Sequence, residues 1–169
     1  TTDAEVKERA EYWFSQGFIG QKFHNHNGHA YAHEAYHGAY EVANAHRLPV
    51  LYHTWGGEKE FADIAQVAEN YPETTILLAH TGSRNVDAYV TMARNHANIY
   101  IDIALSRTKR GLIAHLVDRV GAERITFGSD ALFFSLPHQL GKVAGAPISE
   151  ADKEKILCRN AEEILGRIG

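Results

Sequence analysis

The sequence predicts an α/β protein whose parallel sheet curls into part of a barrel, and three observations lead there. Short apolar runs alternate with amphipathic helical stretches along most of the chain, the pattern of a parallel sheet covered by helices. Three of those runs end in a side chain suited to metal ligation or proton transfer: PVLYH at His53, TILLAH at His80 and ITFGSD at Asp130. The intervals are regular, 27 residues from His53 to His80 and 50 from His80 to Asp130, against about 25–30 residues for one βα unit. A parallel barrel builds its active site at the C-terminal ends of its strands. An open doubly wound sheet also suits five strands, but its strand ends part on either side of a switch point and few of them converge. The convergence of His53, His80 and Asp130 therefore favours the curled sheet. The chain reads as an enzyme.

The elements follow in order. Thr2 with Glu5 makes a capping box, and Val6, Ala10, Trp13 and Phe14 recur at helical spacing before Gly17, which predicts a first helix. Strands are predicted over 18–24, 49–53, 75–80, 98–104 and 124–130, and helices near 33–47, 58–70, 85–96, 109–120 and 149–165. Pro49 and Pro72 fall at boundaries, Gly121 stops a helix after Val120, and Ser149 with Asp152 forms another capping box. Residues 131–148 make the longest irregular stretch. It suits a lid or substrate loop, or a surface excursion with a short helix.

With 169 residues, 44% hydrophobic and 22% charged, the chain fits a single globular domain over 1–169. A net charge of -4 with scattered Lys and Arg offers no footprint for nucleic acid. No apolar run approaches the roughly 20 residues that span a bilayer. The single Cys158 cannot pair within the chain, and a reducing cytoplasm is the expected compartment. The chain starts inside what looks like a helix and without Met, so further sequence is expected upstream of Thr1.

His53 and Asp130 lead the metal ligand candidates. Alternation along a strand puts Leu51 and His53 on one face, and Thr126, Gly128 and Asp130 on one face. Imidazole and carboxylate are ligands that zinc accepts. His80 serves as a ligand or as a general acid/base beside a metal-activated water. In KFHNHNGH, Lys22, His24 and His26 share a side if the strand continues, which would make His24 and His26 an H-x-H chelating pair. Otherwise the segment is a polar loop with one histidine lining the pocket. Lys22 binds an anionic substrate, bridges metals as a carbamate, or pairs with a carboxylate. Asp102 either orients a histidine or hydrogen-bonds at a strand end. Arg84 and Arg107 follow strand ends and could grip a substrate carboxylate, or lie in solvent. Trp55, Phe133 and Phe134 are candidates for pocket walls or core.

The segments GFIGQKFHNHNG, LPVLYHTWGG, TILLAHTGS, NIYIDIA and RVGAERITFGSDALFF, with the tail ISEADKEKILCRNAEEILG, resemble the C-terminal two-thirds of an amidohydrolase-2 protein, a metal-dependent TIM-barrel enzyme. The resemblance implies that His53, His80 and Asp130 end the fifth, sixth and eighth barrel strands. It makes His53 a ligand, His80 a ligand or acid/base, and Asp130 a ligand that also shuttles a proton. Lys22 and His24 match the end of the fourth strand, with Asn25 in place of a proline. It further implies that the first three strands, including one bearing an H-x-H metal-binding pair, are absent here, and that the exposed strand edges are covered by self-association.

The expected activity is hydrolysis of a C–N, C–O or lactone bond in a small molecule by water activated on a divalent ion, zinc first. His80 and Asp130 are the expected catalytic groups, with Lys22, His24, Trp55 and Arg84 on the substrate. The metal set is drawn from His53, His80, Asp130, His24 and His26. A nonoxidative decarboxylase of an unsaturated or aromatic acid, and an inactive partial barrel used for binding or assembly, are the alternatives.

Overall fold

The computed structural model describes residues 3–24, 26, 28–105 and 108–169. Helix α1 spans Asp3–Ser15 and precedes β1 (Gln21–Phe23). A 3-10 turn, Glu34–Tyr36, leads into α2 (His37–His46). Then come β2 (Pro49–His53), α3 (Glu58–Asn70), β3 (Thr75–Ala79), α4 (Val86–Asn95), β4 (Ile99–Asp102), α5 (Leu112–Val120) and β5 (Ile125–Thr126). Helices α6 (Leu136–Ala144), α7 (Glu150–Glu154) and α8 (Asn160–Gly166) follow, with a π-helical turn, Lys155–Arg159, joining the last two. No helix among the described residues is long and apolar enough to cross a membrane.

All pairings are parallel, and the strand order is β1-β2-β3-β4-β5. That order decides between the two expected architectures. Parallel crossovers are right-handed, so steps that always go to the next strand in one direction put every connecting helix on the same face. A doubly wound sheet needs a reversal of order, and there is none here. One face is thus packed under helices: Val50, Tyr52, Ile76, Leu78, Ile99, Ile101 and Ile125 are all fully buried. The alternate residues, Leu51, His53, Leu77, Ala79, Asp102 and Thr126, turn to the concave side. The fold is a partial barrel.

Capping explains several boundaries. Ser149 Oγ accepts the Asp152 N–H at 3.1 Å, as the sequence predicts, and Gly121 ends α5 at φ 81°. Asn85 Oδ1 caps α4 through the Ala88 N–H. At α3 the Glu60 carboxylate takes the N–H groups of Trp55 and Gly56 at 2.8 and 3.0 Å, a favourable place for negative charge. The capping role expected of Thr2 lies outside the described residues.

The far side of β5 is closed by the C-terminal segment. In the π-helical turn the Ile156 carbonyl accepts the Phe127 N–H at 2.9 Å, and Ala161, Ile164 and Leu165 of α8 line the concave side. The chain then crosses beneath the sheet. Arg167 reaches Thr75 Oγ1 at 3.4 Å, and Gly169 pairs with His46 through its N–H and its carbonyl.

Four of the five strands are shorter than predicted, β2 alone matching, and the shortening of β1 and β5 bears on the site. β1 stops at Phe23, so the alternation that would align Lys22, His24 and His26 ends before either histidine. β5 is only two residues, and Asp130 lies four residues past it in a left-handed conformation, φ 49°. The irregular stretch 131–148 contains α6, a full helix.

Candidate active site and metal centre

Three strand ends converge. His53 is the last residue of β2, and its carbonyl is held by the Tyr31 hydroxyl at 2.5 Å. His80 follows β3 directly, at φ 66°, a conformation that costs a non-glycine residue of order 1–3 kcal/mol. The Thr81 N–H to Asp102 carbonyl bond, 3.1 Å, ties this corner to β4. Gly82, φ 95°, lies where a Cβ would collide with the Leu112 side chain.

The hydrogen bonds fix the tautomers. His80 Nδ1 lies 2.7 Å from the Ala104 carbonyl, and His80 Nε2 lies 3.1 Å from His53 Nδ1. A carbonyl only accepts, so His80 Nδ1 carries the proton. With both rings neutral, His80 Nε2 then accepts from His53 Nδ1–H, and His53 Nε2 is left as a bare lone pair. That nitrogen is buried and has no hydrogen-bond partner among the described residues. Burial first, then the neighbouring His80, His24 and Lys22, pushes the His53 imidazole down to about 4, which keeps it neutral and ready to ligate at physiological pH.

His24 behaves differently. Its ring stacks on His53 with centroids 4.0 Å apart, and its Nδ1 accepts the His26 N–H at 3.1 Å. In the neutral ring the proton is therefore on Nε2, and His24 faces the site as a donor. His26 is exposed. The His24 and His26 rings lie 4.8 Å apart, centroid to centroid, although β1 ends before them and the loop engages His24 Nδ1 with its own backbone.

Two cavities of about 360 Å³ each meet here. One lies on the concave face and is bounded by Lys22, Leu51, Leu77, Asp102 and Thr126. The other is bounded by His53, Trp55, Ser83, Leu105 and Phe134. His80 and Asp130 line both. Burial lowers the Lys22 pKa, against the pull of Asp102 and Asp130. Asp102 is buried on the concave side, and burial raises its pKa while the Ala104 N–H, 3.0 Å from Oδ1, opposes the shift. A Cβ at Gly128 would overlap this carboxylate, so glycine there makes room for Asp102.

Of the residues expected from sequence, His53, His80, Asp130, Lys22 and Trp55 border these cavities. Arg84 is exposed and borders neither, Phe133 is 84% exposed, and Phe134 forms a wall. Arg107 lies outside the described residues. Sequence reasoning passed over Ser83 and Leu105, neither of which carries a distinctive chemical signal.

The donor set tests the fit of an ion. His53 Nε2 is an orphaned buried acceptor, and the Asp130 carboxylate shares its cavity; both suit a divalent cation. His80, by contrast, is committed at both nitrogens. Among the described residues no three His, Cys, Asp or Glu side chains come together to hold an ion, and His53 Nε2 and Asp130 are the donors that fit one there.

A family model described as Amidohydrolase, Amidohydro_2, matches residues 1–167. The chain belongs to this amidohydrolase family. Solved structures with the same fold include an uncharacterised TIM-barrel protein from Bordetella bronchiseptica, with a TM-score of 0.81 and 19% identity, over 99% of this chain and 64% of that one. A dihydroxybenzoic acid decarboxylase from Polaromonas, with bound manganese and the inhibitor 2-nitroresorcinol, gives 0.72 and 19% over 95% and 64%. A 4-oxalomesaconate hydratase from Rhodopseudomonas palustris gives 0.72 and 13% over 98% and 60%. No curated protein matches at a significant level. This amidohydrolase chain thus spans about 64% of the length of the first of these barrels. Five parallel strands in a chain of that relative length are those of a partial TIM barrel.

Proposed function

We propose that the chain forms the catalytic part of a metal-dependent enzyme that decarboxylates a small planar carboxylic acid without oxidation. The observation that carries this reading is the bare, buried His53 Nε2 beside His80 and Asp130, at the junction of an aromatic-walled cavity and a cavity containing Lys22. His53 Nε2 and Asp130 would hold the ion, with other groups completing its coordination sphere. When bound, such an ion polarises a ligated oxygen and lowers the pKa of water toward about 7.

The remaining roles belong to side chains. Trp55 and Phe134 flank a flat substrate, and the Lys22 ammonium faces its carboxylate. The C–C bond to the carboxylate breaks with its electron pair staying on carbon, CO2 leaves, and that carbon takes a proton. His80, once it has let go of the His53 Nδ1–H and taken a proton from water at Nε2, is placed to deliver it. The dihydroxybenzoic acid decarboxylase of similar fold supports the substrate class. Hydrolysis of an ester or lactone uses the same groups, with His80 taking a proton from water.

The test is a panel of carboxylated aromatics, esters and lactones, run with manganese or zinc and followed for CO2 release or acid formation. CO2 from an aromatic acid, abolished by His80→Gln and Asp130→Asn, supports the proposal. Acid release from esters alone moves the assignment to hydrolysis. Less than about a tenth of an equivalent of metal at saturation, with no turnover, leaves the binding or assembly reading.

A further inference from the structure

Helix α6 follows Phe134 and looks from the sequence like part of a surface excursion. Val143 packs into the core, and two polar side chains also turn inward. Gln139 is fully buried, its Oε1 accepting the Leu105 N–H at 3.4 Å and its Nε2 reaching the Leu105 carbonyl at 3.5 Å. The Lys142 ammonium donates to the carbonyls of Ile103 and Leu105, both at 2.8 Å, and to Thr108 Oγ1 at 3.2 Å. The Asp102 carboxylate accepts the Ala104 N–H at 3.0 Å. Residues 103–105 form the segment that leaves β4, and these bonds grip it at each of the three residues. The carbonyl left free between the grips is that of Ala104, the one that takes the His80 Nδ1 proton at 2.7 Å.

We infer that Gln139 and Lys142 are positioning residues that, from α6, hold the turn after β4 so that the Ala104 carbonyl fixes His80 as its Nδ1–H tautomer and leaves His53 Nε2 bare for an ion. Neither residue touches the site. They act through one backbone carbonyl and two imidazoles in series. A free imidazole favours the proton on Nε2, so the Nδ1–H form at two successive histidines is a state that the surroundings impose. Lys142 is well suited to the grip, since three donors on one nitrogen can satisfy two carbonyls and a hydroxyl at once. The helix that follows Phe134, a wall of the cavity, is in this way tied to His80.

The inference rests on the metal-dependent reading, but its decisive measurement needs neither metal nor substrate. Long-range 1H–15N spectra of the metal-free protein, labelled at histidine and taken at neutral pH, report which ring nitrogen of each histidine is protonated. The wild type is expected to show His80 and His53 both with Nδ1–H and a bare Nε2. Lys142→Met, which keeps the aliphatic stem, is expected to shift His80 toward Nε2–H and to weaken manganese binding about tenfold, the lower end for lost outer-shell support. Lys142→Arg, still able to donate to the carbonyls, is expected to recover both. A wild-type His80 with Nε2–H overturns the inference, and so does a folded Lys142→Met with unchanged tautomers. Should Lys142→Met not fold, the wild-type spectrum and Gln139→Met decide by the same signals. No metal binding alongside the expected tautomers would end the proposed function and keep the positioning role.

Discussion

At the end of the sheet where strands begin, side chains are spent on backbone carbonyls. Asn98 Nδ2 donates to Ala68, Tyr71 and Thr74 at 3.1–3.3 Å. Arg124 spreads its guanidinium over the carbonyls of Ala93, His96, Ala97 and Ile99 while stacking on Tyr100. Asn160 fastens the last helix to Ala122 and Ile125 at 2.8 and 2.7 Å. At the end where strands finish, the groups suited to chemistry gather: His53 Nε2 has no partner among the described residues, and His80, Asp130 and Leu132 hold left-handed backbone. The contrast shows one set of βα units drawing rigidity from one end and chemistry from the other.

Substitutions at each end should separate these roles. Asn160→Ala strips two buried carbonyls of their donor and is expected to cost about 3 kcal/mol of stability, read from urea unfolding, with the His80 tautomer unmoved. A change in that tautomer would dissolve the division between the ends. His53→Gln is expected to weaken manganese binding more than about tenfold, or 1.4 kcal/mol, in calorimetric titrations, with an unfolding midpoint close to wild type. A large loss of stability would make His53 a structural residue. Leu132→Gly removes a fully exposed side chain at φ 82° and is expected to stabilise by about 1 kcal/mol through relief of strain; a loss of melting temperature would count against strain there.

The smallest effect concerns pH. Burial pushes Lys142 down to about 8 from an ordinary 10.5. Below about 8 both folded and unfolded chains carry this proton, and the unfavourable burial of charge is felt in full. As pH rises from about 8 toward 10.5, the folded amine turns neutral before the unfolded one, so the unfolded state binds more protons and stability gains. The stability of wild type relative to Lys142→Met should therefore increase across this interval. A flat or falling difference would show that burial of the charge is not what sets the shift.

Much of this division can be read in the amino acids. α3 appears over 58–70 as predicted, because Phe61, Ile64, Val67 and Ala68 mark one buried helical face. β2 and β3 are legible from PVLYH and TILLA, continuous apolar runs whose last or next residue is the functional histidine. Asp102 and Asp130 were visible as chemistry at strand ends, although Asp130 sits beyond a two-residue strand. What was missed has a common physical source. His24 and His26 look like one side of a continuing strand, and nothing local in KFHNHN signals that pairing stops at Phe23. Gln139 and Lys142 fall in a stretch with no strand-end signature, and their importance depends on a turn 34–39 residues earlier. Contacts of that separation are made by the fold, beyond the reach of periodicity.

A sheet in which each strand adjoins only its sequence neighbours is close to a linear stack, so protection against solvent should be graded along it. β2 and β3 share five registered residue pairs, whereas β4 and β5 share two. Amide exchange would then be slowest at the centre of the stack, around Ile76 and Leu78, and would quicken toward Gln21 on one flank and Thr126 on the other. His53 and His80 grow from the two slowest members, which places the reactive imidazoles on the last part of the molecule to open.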